Sequence, residues 1–547
     1  MTDLVRVPPR PRSGPRHAGP PRGFVARAAA LTAGLTAAGS ALGLVRDQVI
    51  ARLFGAGAAS DAFLVAWTVP ELAATVLIED AMALLLVPAF SAALAKGGAH
   101  ALVRGTLPRI AALLAAATAG LYAAAPLVVR LLAPGLADPR LAVTCTRLTA
   151  ATLLTFGLAG YLSAALRAHH RFLPPAAIYV AYNAAIITTL LAFHARWGVR
   201  AAAAGVAIGG ATMALVQLPA FFRMLRRPPL PAAHPVAELP RAHVPGPADA
   251  PGPADAPGSR APSRRVGAAV GVGVVVPVVV FAVERQAQVL AERFFAAGLP
   301  AGAISHLNYA QKIAQLPMVL SLMVCTVTFP VVARALAAGD RERARQRVER
   351  DLTLACVLVL LGTAYVVACA PQIVQALFQR GAFDAADTAA TAAVMRVYAL
   401  GLLGQSLVGA LIRAYFSAGR PTWYPVAAMS AGLGLTVVTD AAAVTAWGAY
   451  GVAAGNAAGI SLTAALLLRG LPARAVPVRV RALASAVSRY VLAAAAATGA
   501  GWCTTRLLPS SAPAALVAAA CCLTVPLAFA AAAAAVGAPV RSLPHAA

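Results

Sequence analysis

The residues of this chain that could do chemistry are the few charges that interrupt its apolar runs: Arg46, Asp47, Arg52, Asp61, Glu71, Glu79, Asp80, Glu284, Arg285, Glu292, Arg293, Lys312 and Asp440. An ion at bilayer depth costs from about 3 kcal/mol upward, so it needs a partner or an aqueous path, and such positions mark substrate or ion routes. Glu79, Lys312 and Asp440 each lie within a largely apolar run and carry that implication most strongly. Arg46, Asp47 and Arg52 have two placements open, a solvated extracytoplasmic turn or the wall of a cavity. Arg293 has the stem length to snorkel to an interface. Lysine usage is uneven as well: Lys96 and Lys312 are the chain's lysines, and every other Lys/Arg position is arginine.

The patterns of soluble catalysis are missing. No G-x-x-x-x-G-K-[ST] loop occurs and neither lysine follows a glycine, so ATP is not the direct drive. There is no HExxH, no GxSxG and no paired acidic metal motif. His194 and His306 read as helix-end or loop residues. The seven cysteines (Cys145, Cys325, Cys356, Cys369, Cys503, Cys521 and Cys522) sit in or near apolar stretches without a CxxC, and read as small buried hydrophobes. The expectation is a protein that is not an enzyme, with no cofactor and no metal.

The elements that must position these charges follow from composition. Of 547 residues, 60% are hydrophobic and 12% charged, against about 25% charged in a soluble domain. So little polar material cannot cover a soluble surface, which excludes a soluble enzyme, a disordered protein and a coiled coil. The expected fold class is an all-α polytopic membrane protein, because lipid requires each backbone polar group to be satisfied within its own segment. The formal charge of +26 reads as loops lying against an anionic cytoplasmic leaflet, not as a nucleic-acid surface.

Apolar runs long enough to cross a bilayer number about fourteen. They lie near 25–46, 61–95, 104–133, 143–167, 172–196, 200–224, 266–297, 303–334, 351–378, 388–416, 421–446, 449–470, 484–506 and 512–537. The second is too long for one straight helix and holds Pro70 and Pro88, which predicts a tilt or kink. Arginine-rich loops (Arg104 and Arg109; Arg167 and Arg171; Arg223, Arg226 and Arg227; Arg341 to Arg350; Arg413 and Arg420; Arg469 to Arg481) alternate with poorer ones around Arg130, Arg196, Arg380 and Arg506. The basic tail at 1–24 falls on the rich side, so both termini are expected in the cytoplasm of a cell-membrane protein.

Residues 225–265, with the tandem PGPADA at 245–256, are too rich in Pro and Gly to pack and read as a cytoplasmic linker. It separates six spans at 25–224 from eight. The two parts echo each other. LVVRLLAPGLADPRLAV followed by GYLSAALRAHHRFLPP matches IVQALFQRGAFDAADTA followed by GQSLVGALIRAYFSAGRPTWYP, and parallel repeats with a site between them are a transporter design.

Gly43-Leu44-Val45-Arg46-Asp47, Ala51-Arg52-Leu53-Phe54-Gly55 and Ser60-Asp61-Ala62-Phe63 together resemble the MurJ/MviN family of lipid II flippases. Pro70, Glu79, Val87-Pro88, Ala177 to Asn183, Leu299 to Ala310 and Leu377 to Phe383 (LFQRGAF) continue the resemblance in order across roughly residues 25–500. It implies the multidrug/oligosaccharidyl-lipid/polysaccharide exporter fold: two pseudo-symmetric six-helix lobes at 25–224 and 266–472, with two extra C-terminal helices and a tail at 473–547. It implies transfer of an undecaprenyl-pyrophosphate-linked peptidoglycan precursor from inner to outer leaflet. It also implies a substrate site drawn from Arg46, Arg52, Asp61, Glu79, Ser305 and Lys312, and a coupling-ion site near Glu292 and Asp440. The drive is left between the membrane potential and a monovalent cation, and the implied partners are the lipid-linked precursor, membrane lipids and cell-envelope synthesis proteins.

The chain departs from the family where Ser40, Ala74 and Thr75 stand for arginines and Glu71 stands for an asparagine. The cavity thereby loses positive charge. Two alternatives stand beside the lipid II reading: export of another lipid-linked glycan, and a non-transporting scaffold for envelope synthesis. The arginine alternation predicts the topology directly. In intact cells Ala250→Cys should be shielded from a membrane-impermeant maleimide and become reactive once the membrane is opened; labelling from outside would overturn the span count.

Overall fold

A computed structural model describes residues 22–95, 98–226, 272–319, 321, 340–417, 423–509 and 511–538. These residues are nearly all helical, with no strand among them. Nearly all of the expected tail and linker, together with Cys325, Arg334 and Arg420, lies outside the described residues. Ten of the described helices are long and apolar enough to cross a membrane, or up to eleven when a bent pair counts as one span. Among the described residues the count therefore falls short of the expected fourteen, and the expected eighth span at 303–334 lies partly outside them. Leu113, Leu131, Leu523 and Leu527 are each at least two-thirds exposed on outward faces, as suits helices bathed in lipid.

In the first part, α1 (Arg22–Phe54) is followed by α2 (Ala58–Ala73) and α3 (Ala81–Ala95), joined by a π-helical stretch over Ala74–Asp80. Then come α4 (Ala99–Leu132), α5 (Pro139–Ala150), α6 (Thr152–Ala168), α7 (Leu173–Trp197), α8 (Arg200–Leu215) and α9 (Leu218–Leu225). The long second run is thus interrupted by a π-helical stretch that lies between Pro70 and Pro88.

The second part comprises α10 (Val272–Ala296), α11 (Ala303–Ala314), α12 (Arg341–Phe378), α13 (Ala385–Leu400), α14 (Leu402–Ser417), α15 (Tyr424–Trp447) and α16 (Ala449–Arg474). It repeats the packing of the first. In the first part α1 packs on α7, α7 on α8, α4 on α5, and α5 and α6 on α8. In the second, α10 packs on α15, α15 on α16, α12 on α13, and α13 and α14 on α16. The final pair, α17 (Val480–Leu507) and α18 (Ala514–Ala535), packs against α12.

The sequence echo has a local cause. Gly135 and Gly381 both take left-handed backbone, φ 84° and 66°, to end a span. Three residues later Asp138 and Asp384 each accept from a backbone N–H of the next helix, at 2.9 Å from Leu141 and from Asp387. Both of the helices so started then break near their middle, between α5 and α6 and between α13 and α14. Cys503 and Cys522 are exposed on the outer helix pair. The expectation that all seven cysteines are buried therefore fails there, because the surrounding medium is itself apolar and a thiol loses little by facing it.

α15 and α16 approach through glycines. A Cβ on Gly432 would lie 2.6 Å from the Gly459 carbonyl oxygen, and one on Gly459 would lie 2.5 Å from that of Gly432. Small residues let membrane helices close to backbone contact. Gly459→Ala should therefore destabilise by about 1–3 kcal/mol, read as a lower melting temperature in detergent. Gly434→Ala, whose Cβ would meet nothing within 4 Å, should leave it unchanged or higher.

Candidate functional site

The two placements open for Arg46 and Asp47 are decided by the helix they lie on. α1 continues unbroken through both, and their neighbours bury them to 8% and 7% exposure. Their charges are satisfied locally. Arg46 Nε and one terminal nitrogen donate to Asp47 Oδ1 at 3.0 and 2.8 Å, and the other terminal nitrogen donates to Asn183 Oδ1 at 2.9 Å. Asn183 is held in that orientation by donating to the carbonyls of Gly39 and Tyr179, both at 3.0 Å. The guanidinium also lies 4.5 Å from the centroid of the Trp67 ring, where the ring quadrupole favours a cation.

The other oxygen of Asp47 belongs to the second part of the chain. Lys312 Nζ donates to Asp47 Oδ2 at 3.0 Å and lies 5.9 Å from the Trp67 ring. One carboxylate is therefore shared by two cations, each from a different repeat. The Lys312 side chain is 28% exposed, against 10% for Asp47, so the ammonium is the accessible member. The trio carries one net positive charge in a buried setting, which suits an anionic group and especially a phosphate. Glu71 lies one helical turn beyond Trp67 on the same face of α2 and acts electrostatically on Arg46. Its carboxylate weakens the positive field at the trio.

Asp61 and Ser305 meet, but away from this trio. Asp61 Oδ2 accepts from the Gly302 N–H at 2.6 Å, and Oδ1 accepts from the Ser305 N–H at 2.8 Å and the Ser305 hydroxyl at 2.6 Å. The carboxylate thus caps the first turn of α11 from across the molecule, where the helix dipole also favours an anion. Two backbone contacts extend this seam. The Ala382 N–H donates to the Arg52 carbonyl at 2.8 Å, and the Ala56 N–H donates to Asp387 Oδ2 at 3.3 Å. His306 pairs with the other oxygen of Asp387 at 3.2 Å. Gly55, Gly302 and Gly381 all have positive φ, and a Cβ on Gly302 would come within 2.7 Å of the Ala56 carbonyl oxygen. The turns of the two repeats therefore close one end of the bundle, the end away from residue 22. Arg52 contributes its backbone to that closure while its side chain is exposed; it is not brought to the Arg46 trio. The Glu79 side chain lies outside the described residues.

Glu292 and Asp440 lie in a second polar centre inside the second repeat. Glu292 is 2% exposed and accepts from the Tyr398 hydroxyl at 2.6 Å and from the Asn456 amide. Asp440 is fully buried, and neither of its oxygens has a hydrogen-bond partner. An unpartnered carboxylate at this depth needs a proton or a cation. Arg293, beside Glu292, turns away to donate to Asn308 Oδ1 at 3.1 Å, so it is buried and paired and does not snorkel. Among the described residues no group of three or more His, Cys, Asp and Glu side chains could hold a metal ion.

Trp67, Asn183, Tyr398 and Asn456 escaped the sequence reading. Their signal was weak because each is uncharged and sits in an apolar run. An Asn, Tyr or Trp there looks like core until its partner on another helix is known.

With this geometry in hand, comparison with known proteins is informative. The family model described as lipid II flippase MurJ matches residues 50–517. The lipid II flippase MurJ of Burkholderia cenocepacia is 27% identical over 462 residues, covering 82% of this chain and 84% of the relative. The probable lipid II flippase MurJ of Rhizobium meliloti is 26% identical over 494 residues, covering 86% of each. A solved lipid II flippase MurJ in an inward closed conformation superposes with a TM-score of 0.68 at 17% identity, covering 92% of this chain and 98% of that one. An inward-facing multidrug resistance MATE family transporter of the MOP superfamily gives 0.60 at 16% identity, covering 82% and 96%. At these identities the two structures speak for the fold alone.

Asp61→Ala would leave the amides of Gly302 and Ser305 and the Ser305 hydroxyl without their acceptor. The loss expected is about 1–3 kcal/mol, visible as a lowered melting temperature. In a cysteine-free background Ala303→Cys should also react faster with maleimide when Asp61 is removed; unchanged melting and labelling would show that the seam does not depend on this carboxylate.

Proposed function

The chain belongs to the lipid II flippase MurJ family, and we propose that it carries lipid II from the inner to the outer leaflet of the bacterial cell membrane by alternating access, with both termini cytoplasmic. The observation that carries this reading is the carboxylate of Asp47 shared between Arg46 and Lys312 across the two repeats. The substrate is an undecaprenyl-diphosphate-linked disaccharide-pentapeptide. Its diphosphate must leave the headgroup region, and it needs cations that are buried yet free to change partner.

Lys312 can make that change. Its ammonium leaves Asp47 Oδ2 for a phosphate oxygen, while Asp47 stays with Arg46 and keeps that guanidinium aimed and neutralised. Arg46 is then close enough to add its field without losing its own hydrogen bonds. Entry is from the end opposite the Asp61 seam, because that seam is shut. Release on the other side requires the seam to part and the opposite end to close, a rocking of one repeat against the other. No covalent bond is made or broken, and the protein's part is to bind, orient and exclude lipid. For the drive we propose a monovalent cation or proton held at Asp440 and Glu292. The two unpartnered oxygens of Asp440 support this, since an occupant there would satisfy them.

A leaflet-accessibility assay for lipid II tests the reading. Depletion of the protein should trap lipid II in the inner leaflet. Lys312→Ala should abolish rescue while the protein still inserts and melts normally. Lys312→Arg should retain much of it, because a guanidinium keeps the charge and pairs well with phosphate oxygens. Normal transport by Lys312→Ala would remove this residue from the mechanism, and untrapped lipid II after depletion would remove the substrate.

A further inference from the structure

The helix that carries Lys312 is linked to the buried Glu292 by a chain of amides that passes through a break in another span. Gln315 lies three residues after Lys312, on the same side of the helix. Its Nε2 donates to Gln405 Oε1 at 3.4 Å. Gln405 Nε2 donates to Asn456 Oδ1 at 3.5 Å, and Asn456 donates to Glu292. The backbone of Asn456 is held in turn by Gln288, which donates to its carbonyl at 3.5 Å. None of these glutamines carries charge, and the flipping chemistry outlined above uses none of them.

Gln405 stands one turn beyond Gly401, where α13 and α14 meet at a bend of 45°. Tyr398, on the other side of that bend, donates to Glu292. The bend itself is pressed against α16, since a Cβ on Gly401 would come within 2.9 Å of the Ala457 Cα, next to Asn456. Both arms of the broken span therefore touch the same polar centre. The arm before the bend touches Glu292 directly. The arm after it touches Asn456 and, through Gln315, the helix of Lys312.

We propose that the broken span α13–α14 is the lever that couples the Glu292 centre to the Lys312 site, with Gln405 and Gln315 as positioning residues. The proposal rests on the lipid II reading given above. When Glu292 is ionised and empty it can accept fully from both Tyr398 and Asn456, which holds the two arms at their present angle. A proton or cation on Glu292 takes up one of its acceptor positions. The hold on Tyr398 or Asn456 then loosens, the angle at Gly401 changes, and Gln405 draws or releases the helix of Lys312. A break in a span supplies what such coupling needs, an element with two discrete arrangements that both sites can bias.

A double-mutant cycle on the purified full-length protein tests this, with lipid II itself as the probe and binding affinity as the readout. Glu292→Gln stands in for the neutralised centre. In the parent protein it should shift lipid II affinity by about tenfold, within the range of known site-to-site coupling. Gln405→Leu should bind lipid II nearly as the parent does, and adding Glu292→Gln to it should produce no further shift. Gln315→Met should abolish the shift in the same way, which guards against a Gln405 variant that folds poorly; folding is followed by melting temperature. A shift of equal size in the parent and in both glutamine variants would overturn the lever. So would a parent protein in which Glu292→Gln changes nothing, since there would then be no coupling to carry. Failure of the underlying reading is separate and visible in the same experiment: the parent and Lys312→Ala would bind lipid II equally.

Discussion

The structure turns on one carboxylate. Asp47 neutralises Arg46 with one oxygen and Lys312 with the other, and in doing so joins the two repeats at a point separate from the Asp61 seam. Removing one partner of a buried ion pair is strongly destabilising, by about 3–5 kcal/mol, because the charge left behind has no water. A transporter that relied on such a pair alone could not open. Here the second contact is made by a long, partly exposed lysine, so it can be given up to a ligand's anion while the Arg46 contact stays. The buried half gives permanence and the exposed half gives exchange.

The rest of the site is arranged to protect that asymmetry. Asn183 uses both of its amide hydrogens on backbone carbonyls and offers its oxygen to Arg46. Trp67 lies under both cations. Glu71 sits one helical turn beyond Trp67 on the same face of α2.

Much of this was legible in the sequence. Scarce charge and long apolar runs specify a membrane bundle, and the Gly135–Asp138 and Gly381–Asp384 echoes mark the repeats because a left-handed residue and a capping carboxylate are local requirements. Lys312 stood out by residue type alone. Asp61 also stood out, but its task did not: a carboxylate that caps a helix start 241 positions away looks, in sequence, the same as one lining a cavity. Arg52 shows a related limit. Its neighbours belong to a motif, yet it is its carbonyl that takes part, and main-chain atoms leave no mark on a residue's identity. The hydrogen bonds of Tyr398 and Asn456 to Glu292 were invisible because uncharged polar groups in an apolar run announce neither their depth nor their partners.

That the seam joins main-chain groups to two carboxylates has a consequence for how such a protein can drift over generations. The Arg52 carbonyl, the Ala56 and Ala382 amides and the turns at Gly55, Gly302 and Gly381 present the same geometry whatever side chains surround them. Substitutions nearby can accumulate without loosening the closure, provided the glycines, Asp61 and Asp387 remain. A lineage can therefore remodel the surface around the Arg46 trio while the contacts that close one end of the bundle stay as they are.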